Sequence, residues 1–187
     1  MNRKVLQQAI SLAQKIKHIF VVTSDRSGLP HMAAAGKLTF SADNRVDGKA
    51  RNLLVHRKGA TRAFGPGMEG VPRCYRNVGQ PVIIGGSMET GSYLLVGTPG
   101  GEQTFFSTAH GSGRTMSRTK ARKIWRGKQL QQEMEGRGIY VRTASWAGLA
   151  EEAGGAYKDI DEVILATEQA GISKPVVRFT PIGNIKG

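Results

Sequence analysis

The sequence predicts an α+β protein with a mixed sheet and flanking helices. Short β-branched and aromatic runs alternate with stretches whose apolar residues recur at helical spacing. Turns rich in the chain's 25 glycines separate the two kinds of segment. No clean strand–helix–strand repeat emerges, so a parallel α/β sheet is not favoured. A chain of 187 residues is long enough for one domain with a proper core and hardly for two.

The first 45 residues predict a helix followed by a β-hairpin. Apolar side chains fall at helical spacing over residues 2–18, and Ile19–Thr23 is a β-branched strand. A turn signal at Asp25–Gly28 precedes a second strand through Lys37–Phe40. We expect this N-terminal segment, residues 1–45, to pack poorly on the main region, residues 46–187.

The main region predicts several strands and two long helices. The expected strands are Asn52–Val55, Pro81–Ile84, Ser92–Gly97, Ile139–Arg142 and Val176–Phe179. The expected helices are Arg118–Met134 and Ile160–Ala170. Lys174–Pro175 is expected to break the chain before the last strand.

The charge of the chain points to a polyanionic partner. The formal net charge is +13, which favours nucleic acid or an anionic membrane surface. Seven Lys or Arg residues and no acidic residue lie between Arg114 and Lys128. Such a run is usually a solvated helix face, but here it begins beside a glycine-rich histidine motif. We favour a track for a nucleic-acid backbone.

Compartment signals favour the cytoplasm. No run of 18 apolar residues is present that could span a bilayer. The N-terminus lacks the apolar core of a signal peptide, and the single Cys74 excludes an internal disulfide.

The stretch Phe105–Arg114 is the strongest local candidate for chemistry. Gly111 and Gly113 allow a tight turn and close backbone approach to a ligand, and successive amides in such a turn can bind an anion. His110 beside it could act as a nucleophile, a general base or a metal ligand. A polar turn with an incidental histidine is the alternative.

Several ordered motifs then resemble one known family. Ser107–Arg118 resembles the nucleotidylated-histidine motif of the RtcB family of RNA-splicing ligases. Val55–Ala63, the turn Gly85–Met88 running on to Ser92-Tyr93, Tyr157-Lys158 and the terminal Lys186-Gly187 are similar to further signatures in the same order. The resemblance covers about residues 46–187.

The resemblance implies a set of site residues. His110 would be the catalytic nucleophile. The expected nucleotide-binding residues are Gly85, Gly86, Ser87, Met88, Ser92, Gly111, Ser112, Gly113, Tyr157 and Lys186. His56 is interpreted as structural or phosphate-facing, because flanking cations oppose a bound metal.

The implied reaction joins an RNA 3′-phosphate or 2′,3′-cyclic phosphate to a 5′-hydroxyl, with GTP and manganese. His110 would be guanylylated first, and the guanylyl group would then activate the RNA 3′-phosphate. The family's metal ligands belong to upstream motifs that this sequence lacks, and no metal ligand is predicted here. We therefore expect the chain to be inactive without a missing N-terminal ligase half, with RNA and GTP as its partners and no membrane contact.

The opening segment resembles a different family. His18–Thr23 and Gly28–Ala35 are similar to the start of a pyridoxamine-phosphate-oxidase-like flavin-binding barrel, which implies a junction near residue 46. Two other functions therefore stay open. One is a non-catalytic basic RNA-binding module, and the other is a fragment of a flavin-linked oxidoreductase.

Overall fold

The computed structural model describes the backbone of residues 19–24, 30–35, 40–41, 45–46, 49–50 and 53–54 and all atoms of 55–186. The chain divides into two compact units, Met1–Lys58 and Gly59–Gly187. The helix predicted over 2–18 and the turn predicted at 25–28 lie outside the described residues. The domain boundary predicted near residue 46 stays a prediction.

The first unit contains short antiparallel strand pairs. The longest pair joins β1 (Ile19–Ser24) to β2 (Pro30–Ala35), with Ile19 opposite Ala35. The shorter pairs are β3 (Phe40–Ser41) with β6 (Leu53–Leu54) and β4 (Arg45–Val46) with β5 (Lys49–Ala50). β1 confirms the strand predicted from its β-branched residues.

The second unit is built on a three-stranded antiparallel sheet. Its strands are β8 (Pro81–Gly85), β9 (Ser92–Gly97) and β12 (Ser173–Phe179), and β9 lies in the centre. Val82 lies opposite Leu95, and both side chains face one core. The helix α4 (Ile160–Gln169) buries its Ile160 and Ile164 in that core. Removal of these apolar side chains from water is what holds the helix on the sheet.

A second core lies among α2 (Gly127–Gly136), β11 (Tyr140–Thr143) and α3 (Trp146–Glu151), and Met88 also belongs to it. Met134, Val141 and Leu149 are its largest fully buried side chains. Beside it, α1 (Arg118–Ile124) packs against α3, and β13 (Gly183–Lys186) pairs with β11 in parallel.

These elements confirm the predicted α+β class, because helices flank sheets that use both strand directions. In the second unit, β7 (Ala60–Arg62) also pairs with β10 (Ser107–Ala109), and this pairing is antiparallel. Of the helices that the structure describes, none is long and apolar enough to cross a bilayer.

The helix predicted over 118–134 is interrupted at Trp125 and Arg126, which have extended backbone conformations. The reason is a contact distant in sequence. A Cβ on Gly127 would lie 2.1 Å from the carbonyl oxygen of Trp146, so α2 begins directly against the first residue of α3. Only glycine permits this approach, and the chain turns there to make it.

The last strands also differ from the prediction. Pro175 does not break the chain but lies within β12, where the register shifts between Pro175 and Val177. β12 is an edge strand, and a proline is tolerated at an edge or a bulge because no ladder donor is required there. Beyond it, Lys186 belongs to β13 and pairs with Thr143.

The contact at Gly127 generates a stability prediction. Gly127→Ala should lower the free energy of unfolding by about 1–3 kcal/mol, because the new methyl group would overlap a backbone carbonyl. Gly136→Ala in the same helix is the matched control, since a Cβ at Gly136 meets no heavy atom within 4 Å. It should be neutral or stabilise by up to about 1 kcal/mol. Urea unfolding followed by tryptophan fluorescence measures both, and equal midpoints for the two variants would contradict the prediction.

Candidate functional site

The predicted histidine lies at the end of a buried strand. β10 is held by its pairing with β7, where Ala109 lies opposite Ala60. The Thr108 side chain is buried, with its Oγ1 3.4 Å from Ser173 Oγ. His110 follows directly and its side chain is exposed. The strand thus fixes the backbone of His110 while the imidazole stays open to a ligand.

The Gly85 turn is joined to this histidine through the backbone. The Gly85 amide donates to the His110 carbonyl at 3.3 Å, and the Ser112 amide donates to the Gly85 carbonyl at 2.8 Å. Ser92 lies opposite Gly85 across β8 and β9. Two predicted nucleotide-binding segments, far apart in sequence, are therefore in direct contact.

Ser112 and Gly113 leave room and a free polar group beside His110. Ser112 is buried, and its Oγ has no hydrogen-bond partner among the described residues. Gly113 has φ of 76°, and no heavy atom lies within 4 Å of the position where a Cβ would stand. A buried hydroxyl without a partner costs free energy, so this turn is suited to a ligand that accepts a hydrogen bond.

The segment after Gly113 is joined to Tyr157. The Lys158 amide donates to the Gly113 carbonyl at 2.9 Å. The Arg114 guanidinium carbon lies 4.8 Å from the centre of the Tyr157 ring, and its Nη1 donates to the Tyr157 hydroxyl at 3.0 Å. Arg114 Nη2 also donates to the Glu151 carbonyl at 2.6 Å. Arg114 is therefore committed to holding Tyr157 beside the histidine motif.

Glu152 connects Tyr157 with Lys186. The Tyr157 hydroxyl donates to Glu152 Oε2, and Lys186 Nζ lies 3.6 Å from the same oxygen. The other oxygen, Oε1, is 3.7 Å from Arg114 Nη1 and 3.4 Å from Arg118 Nε. One carboxylate thus holds two predicted site residues in one cluster.

The charges of this cluster shift two pKa values. Burial raises the pKa of Glu152, but the hydrogen bonds from Tyr157 and Arg118 and the charges of Lys186 and Arg114 outweigh it, so the pKa is lowered overall. Burial, together with the hydrogen bond to Glu152 and its negative charge, raises the pKa of Tyr157. Glu152 is accordingly a carboxylate and Tyr157 a neutral phenol near pH 7.

The turn from Gly86 to Met88 is held mainly by its own residues. The Gly86 amide donates to the Gly91 carbonyl at 2.8 Å. The Ser87 hydroxyl lies 3.0 Å from Thr90 Oγ1 and accepts from the Glu89 amide at 3.1 Å. The Met88 side chain is buried in the second core, while its carbonyl accepts from Asn184 Nδ2 at 3.0 Å. Met88 can thus face a ligand only through its backbone.

The predicted site residues accordingly form one connected region. Direct contacts link Gly85 to His110 and Ser112, Gly113 to Lys158, and Tyr157 through Glu152 to Lys186. His56 belongs to the first unit, and its interpretation stays a prediction. Across the described residues there is no group of three or more His, Cys, Asp or Glu side chains that could hold a metal ion, so these residues do not fit a manganese site.

Glu152 is the residue that sequence reasoning missed. The pair Glu151-Glu152 stands before a glycine turn and looks like a solvated loop. One signal was available, because these are the first two consecutive acidic residues along the chain after the basic run 114–128. Only the folded chain brings the two together, since α3 packs beside α1.

Comparison with known proteins gives a consistent family match. The family model described as "tRNA-splicing ligase RtcB" matches residues 1–187. Curated proteins named tRNA-splicing ligase RtcB are similar to the chain. The protein from Archaeoglobus fulgidus is 58% identical over 146 residues, which is 78% of this chain and 30% of that protein. The protein from Pyrococcus horikoshii is 56% identical over 146 residues, or 78% of this chain and 17% of that protein.

The match also extends into the N-terminal segment. The protein from Aeropyrum pernix is 42% identical over 175 residues, or 93% of this chain and 36% of that protein. The resemblance of residues 1–45 to a flavin-binding barrel is therefore unsupported, because the ligase family model includes them. The chain spans about a sixth to a third of the length of these relatives.

The lowered pKa of Glu152 generates a pH-dependent prediction. The carboxylate stabilises the fold above its unfolded pKa of about 4.3, and this contribution is lost as pH falls through the lower folded pKa. Glu152→Gln should therefore lower the free energy of unfolding at pH 7 by about 1–2 kcal/mol. The difference in the free energy of unfolding between Glu152→Gln and the parent chain should become smaller below about pH 4.

Glu151→Gln is the matched control, because it preserves the contacts of Glu152 with Tyr157 and Lys186. Glu151 pairs with Arg118 and Arg122, whose side chains are 65% and 47% exposed, and such pairs contribute about 0–1 kcal/mol. Urea unfolding between pH 3 and 7 makes the comparison. If the difference in the free energy of unfolding between Glu152→Gln and the parent chain stays constant over this pH range, the prediction is refuted.

Proposed function

Because the chain belongs to the tRNA-splicing ligase RtcB family, we propose that it carries the nucleotide-attachment region of a GTP-dependent RNA ligase. The observation that carries this proposal is the backbone contact between the Gly85 turn and the His110–Ser112 segment. An exposed imidazole thereby lies near an open glycine and a buried hydroxyl that has no partner among the described side chains. That combination suits a nucleophile next to a phosphate.

GTP is a substrate in the proposed reaction, and the described residues fit it. Ser112 Oγ and the turn at Gly113 would face its phosphates, beside His110. Gly85, Gly86, Ser87 and Ser92 line the neighbouring turn, with Met88 taking part through its backbone. Tyr157 and Lys186 stand at the other side of the cluster, held by Glu152.

The proposed first step is a displacement at phosphorus. A neutral imidazole nitrogen of His110 attacks the α-phosphorus of GTP, a phosphorus–nitrogen bond forms and pyrophosphate leaves. The guanylyl group then passes to an RNA 3′-phosphate, which regenerates the free histidine. Attack by an RNA 5′-hydroxyl on this activated phosphate joins the strands and releases GMP. A 2′,3′-cyclic phosphate must first be opened to the 3′-phosphate.

The electrostatics of the cluster support positioning rather than proton transfer. Tyr157 keeps its proton near pH 7, because burial and the Glu152 carboxylate raise its pKa. Arg114 lies against the Tyr157 ring and donates to the hydroxyl. Tyr157 would therefore offer a fixed, neutral aromatic surface beside the nucleotide. His110 is the residue assigned to bond formation.

Manganese is assigned no residue and no step on this chain. The described residues do not supply a ligand cluster, and we propose that the ligands come from an upstream ligase part acting together with this chain.

A second function is favoured by the charge of the chain. Residues 51–130 carry thirteen Lys or Arg residues against three acidic ones, which suits RNA retention without catalysis. This alternative predicts that His110→Ala leaves RNA affinity and its salt dependence unchanged and that no covalent label forms on the parent chain.

Guanylylation tests the ligase assignment. The chain is incubated with α-labelled GTP and manganese, with and without the N-terminal part of a family ligase, and run on a denaturing gel. We expect a covalent label when that part is present and none with His110→Ala. His31→Ala, a histidine in the first unit, is the control and should keep the label.

The chemistry of the bond provides an independent check. A phosphoramidate on histidine is lost in acid and survives alkali, whereas a phosphate ester on Ser112 would survive acid. A label retained by His110→Ala would reject His110 as the nucleophile. Ligation of RNA by the purified chain alone would reject the proposed dependence on an upstream part.

A further inference from the structure

The basic run from Arg114 to Lys128 is divided by the fold into held and free cations. Arg114 and Arg118 pair with Glu152, and Arg118 and Arg122 pair with Glu151. Glu151 ends α3, and Glu152 follows it directly. Three of the seven cations are therefore paired with two carboxylates of the same unit.

Helix geometry explains the division. Successive residues are rotated by about 100° in an α-helix, so Arg118 and Arg122 of α1 stand about 40° apart. Lys120 and Lys123 stand about 60° apart from each other and lie on the opposite side. The buried Ala121 lies nearer to the arginine side. The helix thus turns two arginines towards α3 and two lysines towards solvent.

Four cations remain free along this surface. Lys120, Lys123, Arg126 and Lys128 are all exposed, and within the described part of the chain no ion pair involves them. No acidic residue interrupts the sequence between them. We call these four residues the lysine surface. Its charge of +4 is not offset locally, and such a surface attracts a polyanion.

We propose that the lysine surface is the main docking site for the phosphate backbone of RNA, because carboxylates of the same unit already pair with the neighbouring arginines 114, 118 and 122. This inference rests on the proposed function for the identity of the polyanion. The surface begins on α1, which starts eight residues after His110.

RNA fits this surface better than an anionic membrane does. A membrane-surface helix needs a broad apolar face opposite its charged face. α1 has only seven residues, and Ile124 is its one exposed large apolar side chain among the described residues. Backbone phosphates, by contrast, require only a line of accessible cations.

The salt dependence of RNA binding tests the proposal. A triple variant, Lys120→Gln with Lys123→Gln and Lys128→Gln, is compared with a control of equal charge loss, Arg73→Gln with Arg76→Gln and Lys174→Gln. The three control residues are exposed and lie on other elements. Binding of a labelled single-stranded RNA is measured by fluorescence anisotropy between about 50 and 300 mM salt, a range over which phosphate contacts dominate.

The plot of log affinity against log salt has a negative slope, and its magnitude should decrease by about 2 in the lysine-surface variant. Each of the three lost phosphate contacts to a single strand accounts for about 0.7 of that decrease. The affinity of this variant near 0.1 M salt should fall by about ten- to a hundredfold, while the control should change far less. Equal losses in the two variants would overturn the proposal, because net charge alone would then explain binding. Absence of RNA binding by the parent chain would also overturn it.

Two further measurements separate the competing explanations. Binding to phosphatidylserine vesicles that is lost in the lysine-surface variant, with RNA binding intact, would identify a membrane surface and reject the proposal. Guanylylation of His110 should persist in the lysine-surface variant. If the lysine-surface variant loses RNA binding but the parent chain is not guanylylated even with the N-terminal part of a family ligase present, the ligase assignment is rejected and the lysine surface stands. If the parent chain is guanylylated under those conditions but the lysine-surface variant keeps its RNA binding, the lysine surface alone is rejected.

Discussion

The candidate site depends on the two backbone hydrogen bonds between Gly85 and the segment His110–Ser112. They connect the end of β8, in the three-stranded sheet, to the residues that follow β10. Because backbone groups make this contact, it fixes the position of His110 without using its side chain. The imidazole is thereby free for chemistry, while the first core, around Leu95 and Ile160, anchors the turn on which it depends.

Glu152 holds the other part of the candidate site, Tyr157 and Lys186, in position through its negative charge. Its side chain is 16% exposed, and a carboxylate so nearly buried needs hydrogen bonds and cations around it to offset lost hydration. Tyr157, Arg114 and Lys186 provide them. Lys186 comes from β13, which is itself paired with β11, so this acid adds a side-chain link from the C-terminal strand to Tyr157 and Arg114. Breaking it would leave several cations without their partner.

Local patterns predicted several strands, because these signals reside in neighbouring residues, but β2, β7, β10 and β13 were not predicted. The role of the histidine motif stays a prediction. β8, β9, β11 and α4 lie close to their expected bounds. The features that were predicted wrongly or missed depend on contacts between residues distant in sequence. The interruption before α2 depends on Trp146, about twenty residues away, and Pro175 is tolerated only because β12 lies at an edge. Glu152 acquires its role from a helix contact that no local pattern encodes.

The same reasoning governs how a run of like charge should be understood. In sequence, the arginines and lysines of the basic run look equivalent, and all would seem to be available to a polyanion. In the fold, Glu151 and Glu152 pair with the arginines on one side of α1, and a phosphate would have to compete with a carboxylate for them. On the other side it displaces only water and counterions, whose release favours binding. Where a chain places its acids therefore decides which of its cations are open to RNA.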